Sequence, residues 1–124
     1  MGIGKTNAGG SGGLSMELLW ENASPTSTFA RQTISLDLTG YDACMVFFKI
    51  KTNNDIRASA YSLKNVKGFI FSDDNSGHVC NRAFTTKDYG VDFLQAYYYA
   101  TYASYAENNG YQIPERIYGI KGVS

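Results

Sequence analysis

The chain is short of several things that announce a function. It has no long apolar run, one histidine, two cysteines, two prolines and no surplus of charge of either sign. A membrane-spanning helix takes roughly 18 or more consecutive apolar residues, and no stretch comes near that, so membrane insertion is not expected. The N-terminus lacks the basic patch followed by an apolar core that marks a secretory signal, and the chain reads as soluble and not exported through one. Eleven basic and eleven acidic residues cancel, so no summed field gathers nucleic acid or an anionic membrane surface. His78 is the sole histidine. That excludes a histidine-built zinc site and leaves a histidine base with no evident nucleophile beside it.

Cys44 and Cys80 are too few for a disulfide framework. Both fall in strand-like stretches, where a cysteine serves as a small buried hydrophobe, and free buried thiols are expected. A single Cys44–Cys80 bridge is the alternative, and it requires the two Cα atoms within about 7 Å of each other. No pair of carboxylates sits in an apolar setting, since Asp73, Asp74 and Glu107 all read as turn residues. No catalytic residue, metal site or cofactor is expected, and the chain is read as a protein without enzymatic activity.

Three short motifs are chance matches. Gly4-Lys5-Thr6 lacks the earlier glycine and the following helix of a phosphate-binding loop. Asp73, Asn75 and Gly77 have calcium-loop spacing but no bidentate glutamate after them. Asn22-Ala23-Ser24 fits the N-glycosylation pattern, which carries no weight without a secretory signal.

What the sequence does contain divides into a leader and one domain. Residues 1–15 hold Gly2, Gly4, Gly9, Gly10, Gly12 and Gly13 and almost nothing that packs, so they are expected to be a flexible leader that orders only against a partner. From residue 16 to 124 the texture is that of a single globular domain, and 124 residues suffice for a core without staples. Met16, Leu18 and Trp20 alternate with Glu17, Leu19 and Glu21 as a strand with one face to a core. Gln32 to Leu38 alternates most cleanly, with Ile34, Leu36 and Leu38 on one side. Ala43 to Lys51 reads as a central strand whose Lys49 and Lys51 reach water. Arg57 to Leu63, Lys67 to Ser72 (anchored by Phe69 and Phe71) and Val79 to Thr86 (Cys80 and Phe84 on one face) follow.

About eight or nine short strands separated by turns are the signature of an antiparallel β-sandwich or barrel. The expected class is all-β, an antiparallel, jelly-roll-like sandwich. Most of the ten tyrosines lie between Tyr89 and Tyr118. In residues 95–106 helix and strand compete. Phe93, Tyr97, Thr101 and Tyr105 share a helical stripe, yet Tyr and Thr favour strands and Asn109-Gly110 is a hairpin signal. Strand is favoured, with Tyr97, Tyr99 and Tyr105 on one side and Tyr98 and Tyr102 on the other. These five tyrosines are the candidate contact surface, because a rigid ring with a polar tip suits an interface with a sister subunit or a sugar. Ordinary packing within the chain's own core is the other reading.

The order Leu19-Trp20-Glu21-Asn22-Ala23-Ser24-Pro25-Thr26-Ser27-Thr28-Phe29-Ala30, then Gln32-Thr33-Ile34-Ser35-Leu36 and Gly40-Tyr41-Asp42-Ala43, closing with Ile113-Pro114 and Ile117-Tyr118-Gly119-Ile120-Lys121, resembles small tailed-bacteriophage structural proteins of the tail, fibre or tail-tip type, from phages of gut and other Gram-positive hosts. The likeness is spread over residues 16–122, and the glycine-rich leader resembles the N-termini of fibre proteins. One departure is Tyr111-Gln112, which stands where a small residue or cysteine would precede the Ile-Pro. The resemblance implies a virion component built in the host cytoplasm. It also implies a β-sandwich assembled as a homo-oligomer, a trimer being favoured, with other virion proteins and possible host-surface glycan as partners. A carbohydrate-binding, lectin-like receptor-binding module is the alternative function.

Overall fold

A computed structural model describes residues 14–73, 77–99 and 105–122. Nine strands run through these residues and no helix does. They are β1 (Ser15–Glu21), β2 (Gln32–Ser35), β3 (Ala43–Lys51), β4 (Arg57–Leu63), β5 (Lys67–Asp73), β6 (Val79–Lys87), β7 (Gly90–Tyr99), β8 (Ala106–Glu107) and β9 (Tyr111–Lys121). A four-stranded antiparallel sheet has the order β1-β9-β3-β4, and a five-stranded one the order β2-β7-β6-β5, with β8 pairing to β7. The two pack face to face as the expected sandwich. Winding nests β2 and β7 inside β1 and β9, as in a jelly roll, while β3–β4 and β5–β6 close as hairpins.

The alternation that defines each strand also fills the space between the sheets. Cys44, Val46 and Phe48 of β3, Phe84 of β6, Val91 and Phe93 of β7, and Ile113 and Ile117 of β9 are all buried there. Ring centroids lie 5.7 Å apart for Phe48 and Phe84, 5.8 Å for Phe84 and Phe93, and 5.4 Å for Phe29 and Phe93. Truncating such a ring costs about 3–5 kcal/mol.

Between the sheets lies a cation. Arg82 is fully buried. Its Nε donates to Gln112 O at 2.8 Å, its Nη1 to Leu94 O at 2.7 Å, and its Nη2 to Phe29 O at 2.8 Å and Tyr111 O at 3.2 Å. The guanidinium carbon also stands 5.3 Å from the centre of the Phe29 ring. One side chain thereby ties β6 to β7, to β9 and to the segment after β1. Loss of water pushes its pKa down to about 10, opposed by the charge of Glu107.

Several local expectations are corrected. A register shift between Leu18 and Trp20 breaks the alternation of β1, so Met16 and Leu18 face out while Leu19 and Trp20 pack on the core. Ser15 already belongs to β1, one residue inside the expected leader. The β2 ladder ends at Ser35, although Leu36 N and Leu38 N still donate to Tyr89 O and Asp88 O. Gly90 lets the strands come this close, because its φ is +145° and a Cβ there would collide with Ile34 O.

Lys49 is buried, with its ammonium donating to Thr52 O at 2.9 Å. Phe69 and Phe71 are exposed rather than anchoring. Asp73 ends β5 and Glu107 belongs to β8, so neither is a turn residue. Asn109-Gly110 closes no hairpin: the chain leaves β8 in one sheet and enters β9 in the other. That crossing is held by Ala96 N donating to Asn109 Oδ1, Phe29 N to Asn109 O and Gly110 N to Asn108 Oδ1, each at 2.9 Å. Cys44 and Cys80 are both free and buried, in different sheets, so the bridge is not formed.

Candidate functional site

β7 settles the contest between helix and strand for residues 95–99. Its tyrosines extend a ladder already set by Val91 and Phe93, and Tyr97, Tyr98 and Tyr99 pair with Asn81, Cys80 and Val79 of β6. β-favouring side chains flanked by a neighbouring strand outweigh the helical preference of the alanines. With a period of two, Gln95, Tyr97 and Tyr99 turn outward.

Pairing lays the outer face of this sheet out in rows. Phe71, Asn81, Tyr97 and Glu107 stand in line across β5, β6, β7 and β8, and Asp73, Val79 and Tyr99 form the next row. Phe69 and Phe71 are 54% and 55% exposed and stack at 6.1 Å. Tyr105 lies over the tyrosines, 4.5 Å from the Tyr97 ring at an interplanar angle of 14° and 5.4 Å from the Tyr99 ring. The result is an aromatic shelf of five rings from β5, β7 and the residue before β8.

Two amides are set into the shelf. Asn81 is nearly buried beneath it and hydrogen-bonds the Tyr105 hydroxyl. Gln95 Nε2 donates to Tyr97 Oη, while its Oε1 is buried with no partner among the described residues. The Tyr105 pKa is raised, chiefly because the shelf removes water from its hydroxyl and then because of Tyr97; the bond from Asn81 acts the other way.

The same face continues into a polar row, Lys67, Thr85, Asp92 and Thr33. With Arg31 they border an open pocket of about 560 Å³. Asp92 accepts from Thr33 Oγ1 at 2.5 Å and Tyr89 Oη at 2.6 Å, and these bonds hold its carboxyl below the usual range.

Of the five tyrosines expected to form a contact surface, Tyr97, Tyr99 and Tyr105 come together on this shelf. Tyr98 points the other way, stacking on Tyr111 at 4.8 Å and meeting His78 edge-on at 5.4 Å. Tyr111, the departure noted before the Ile-Pro, therefore has a packing role. Tyr102 and the leader glycines Gly2, Gly4, Gly9, Gly10, Gly12 and Gly13 lie outside the described residues. Sequence reasoning missed Phe69, Phe71, Asn81 and Gln95. The signal for the two phenylalanines was present, since Lys67 and Asp73 share their parity on β5 and a strand face bounded by charges at both ends is a wet one.

Flat rings with polar tips and adjacent amides bind by stacking and hydrogen bonding. Among the described residues, no group of His, Cys, Asp and Glu is arranged to hold a metal ion. In comparisons with known proteins, the chain matches no family model, no curated protein and no solved structure.

Proposed function

We propose that the chain is a non-enzymatic bacteriophage virion structural protein, a tail, fibre or tail-tip component that acts by contact in assembly and in host attachment. The likeness of its ordered sequence segments to such proteins supports the biological setting. The observation that carries a contact role is the aromatic shelf: Phe69, Phe71 and Tyr105 are each more than half exposed. Aromatic surface of this kind is characteristic of interfaces. The protein works as a homo-oligomer, a trimer being favoured, with its glycine-rich leader docked on a neighbouring virion protein. Electron microscopy of the intact particle tests the reading. Density for this sandwich at a tail or fibre is the expected result, and purified particles that lack the chain would overturn it.

A second reading, a lectin-like receptor-binding module, is favoured by the polar pocket beside the rings. A sugar lays an apolar ring face on an aromatic side chain such as Phe71 and offers its hydroxyls to exposed polar groups such as Lys67 and Arg31. Tyr99→Ala and Phe71→Ala are expected to reduce adsorption to host cells at least tenfold while the protein stays folded. Unchanged adsorption together with a glycan array without binding removes this reading.

A further inference from the structure

We infer that the polar pocket beside the aromatic shelf binds an acidic saccharide, a sugar chain that carries carboxylate or phosphate. The inference rests on the receptor-binding reading above and deepens it by naming the charge of the ligand. The pocket lies on the outer face of the five-stranded sheet, whose order β2-β7-β6-β5 spreads the polar row over four strands. Thr33 stands on β2, Asp92 on β7, Thr85 on β6 and Lys67 on β5. Arg31 comes just before β2, so the two cations flank the floor from opposite sides. Strands about 4.8 Å apart make that floor roughly 14 Å wide. The volume of about 560 Å³ falls within the roughly 300–1,000 Å³ of small-molecule sites.

Charge decides the class of ligand. Arg31 and Lys67 are both exposed, and among the described residues neither belongs to an ion pair. Asp92 is the only acid among the described residues that line the pocket. Both its oxygens are engaged, one by Thr33 Oγ1 and the other by Tyr89 Oη, and these bonds keep it ionised. Two cations against one anion leave the pocket with a positive excess. An anionic group meets a fork of donors at Arg31 and a point charge at Lys67 without displacing an ion pair of the protein. The excess is local, because the whole chain carries eleven residues of each sign, so no long-range field draws in nucleic acid.

The sugar ring itself finds its apolar partner next door. Phe69 follows Lys67 on the same face of β5, about 7 Å along the strand, and its ring is more than half exposed. A ring stacked on Phe69 brings an acidic substituent, its own or its neighbour's, within reach of the Lys67 ammonium. The hydroxyls of Thr85 and Thr33 border the same floor and suit the hydroxyls of a sugar. Stacking surface, hydroxyls and unpaired cations thus occur side by side.

The test is isothermal titration calorimetry of the full-length protein with hexagalacturonate, its uncharged methyl ester, a phosphorylated pentamannose and oligo-dT. At least one of the two acidic sugars is expected to bind, about tenfold or more tighter than the methyl ester, and to weaken as salt is added. Which of them binds identifies carboxylate or phosphate as the group taken. Lys67→Glu and Arg31→Glu, both at exposed positions, are each expected to weaken that binding about tenfold or more. Lys121→Glu, the same change of charge on the other sheet, is expected to leave it unaltered. Equal binding of hexagalacturonate and its methyl ester, binding that neither pocket variant alters, or tighter binding of oligo-dT overturns the inference. Binding of the methyl ester alone overturns it while the receptor-binding reading stands, and failure of every sugar removes both.

Discussion

Four backbone carbonyls, those of Phe29, Leu94, Tyr111 and Gln112, converge on Arg82. A buried cation costs several kcal/mol unless polar groups replace its water, and here the carbonyls do so. Burial lowers its pKa to about 10, so the folded protein holds this proton less tightly than the unfolded chain, and this group's contribution to stability rises with pH above about 10. Near neutrality the substitution is the informative test. Arg82→Ala strands the carbonyls and is expected to cost about 3–5 kcal/mol, a fall in Tm of roughly 10 °C or more by thermal denaturation.

Cys44 moves in the opposite sense, since burial pushes its thiol from 9.0 to about 11. The unfolded chain ionises first, so stability is lost as pH rises from 9.0 to about 11, by at most about 3 kcal/mol. With both thiols buried, a disulfide reagent such as DTNB is expected to label neither in the native protein at neutral pH, and both after denaturation. Prompt labelling of the native protein would contradict the burial.

At the scale of the element, strands were legible wherever neighbours on the ladder agreed with local alternation. β3, β4 and β6 follow their apolar periods closely, and Arg82 shares the inward parity of Cys80 and Phe84, although no local signal announces that a cation would lie in the core. What local pattern could not carry was long-range pairing. The bulge in β1 depends on its register with β9. The turn at Asn109-Gly110 crosses between sheets because Tyr111 to Lys121 pairs with β3 and β1 rather than with β8. The aromatic shelf was half legible: Tyr97, Tyr99 and Tyr105 were singled out from composition and strand parity, while Phe69 and Phe71 were read as anchors of their strand. Their exposure gives a direct comparison. Phe69→Ala and Phe71→Ala are expected to change unfolding free energy by less than about 1 kcal/mol, against about 3–5 kcal/mol for Phe84→Ala, measured by urea denaturation.

For the molecule as a whole, the two outer faces differ in chemistry. One carries aliphatic and phenolic side chains, and the other sets amides among aromatic rings beside a polar pocket. Variants on one face are expected to leave the other face's property intact, because groups this far apart act additively. Tyr61→Lys is expected to leave adsorption to host cells unchanged, and Tyr99→Ala is expected to reduce it at least tenfold. Adsorption measured on both variants checks the separation.

The pairing of β1 with β9 bears on how such a molecule would carry load. Ser15 lies opposite Lys121, so both described chain ends leave side by side. The row of Asp73, Val79 and Tyr99 is at the far end of the sandwich, away from the turn where Lys64 bridges to Thr86. A pull between the two chain ends would open β1 from β9 like a zipper, one hydrogen bond at a time. A pull between the leader and something gripped at the shelf runs along the strands and loads those bonds together in shear. Along that line the β1–β9 ladder resists more than it does when it is unzipped from its ends.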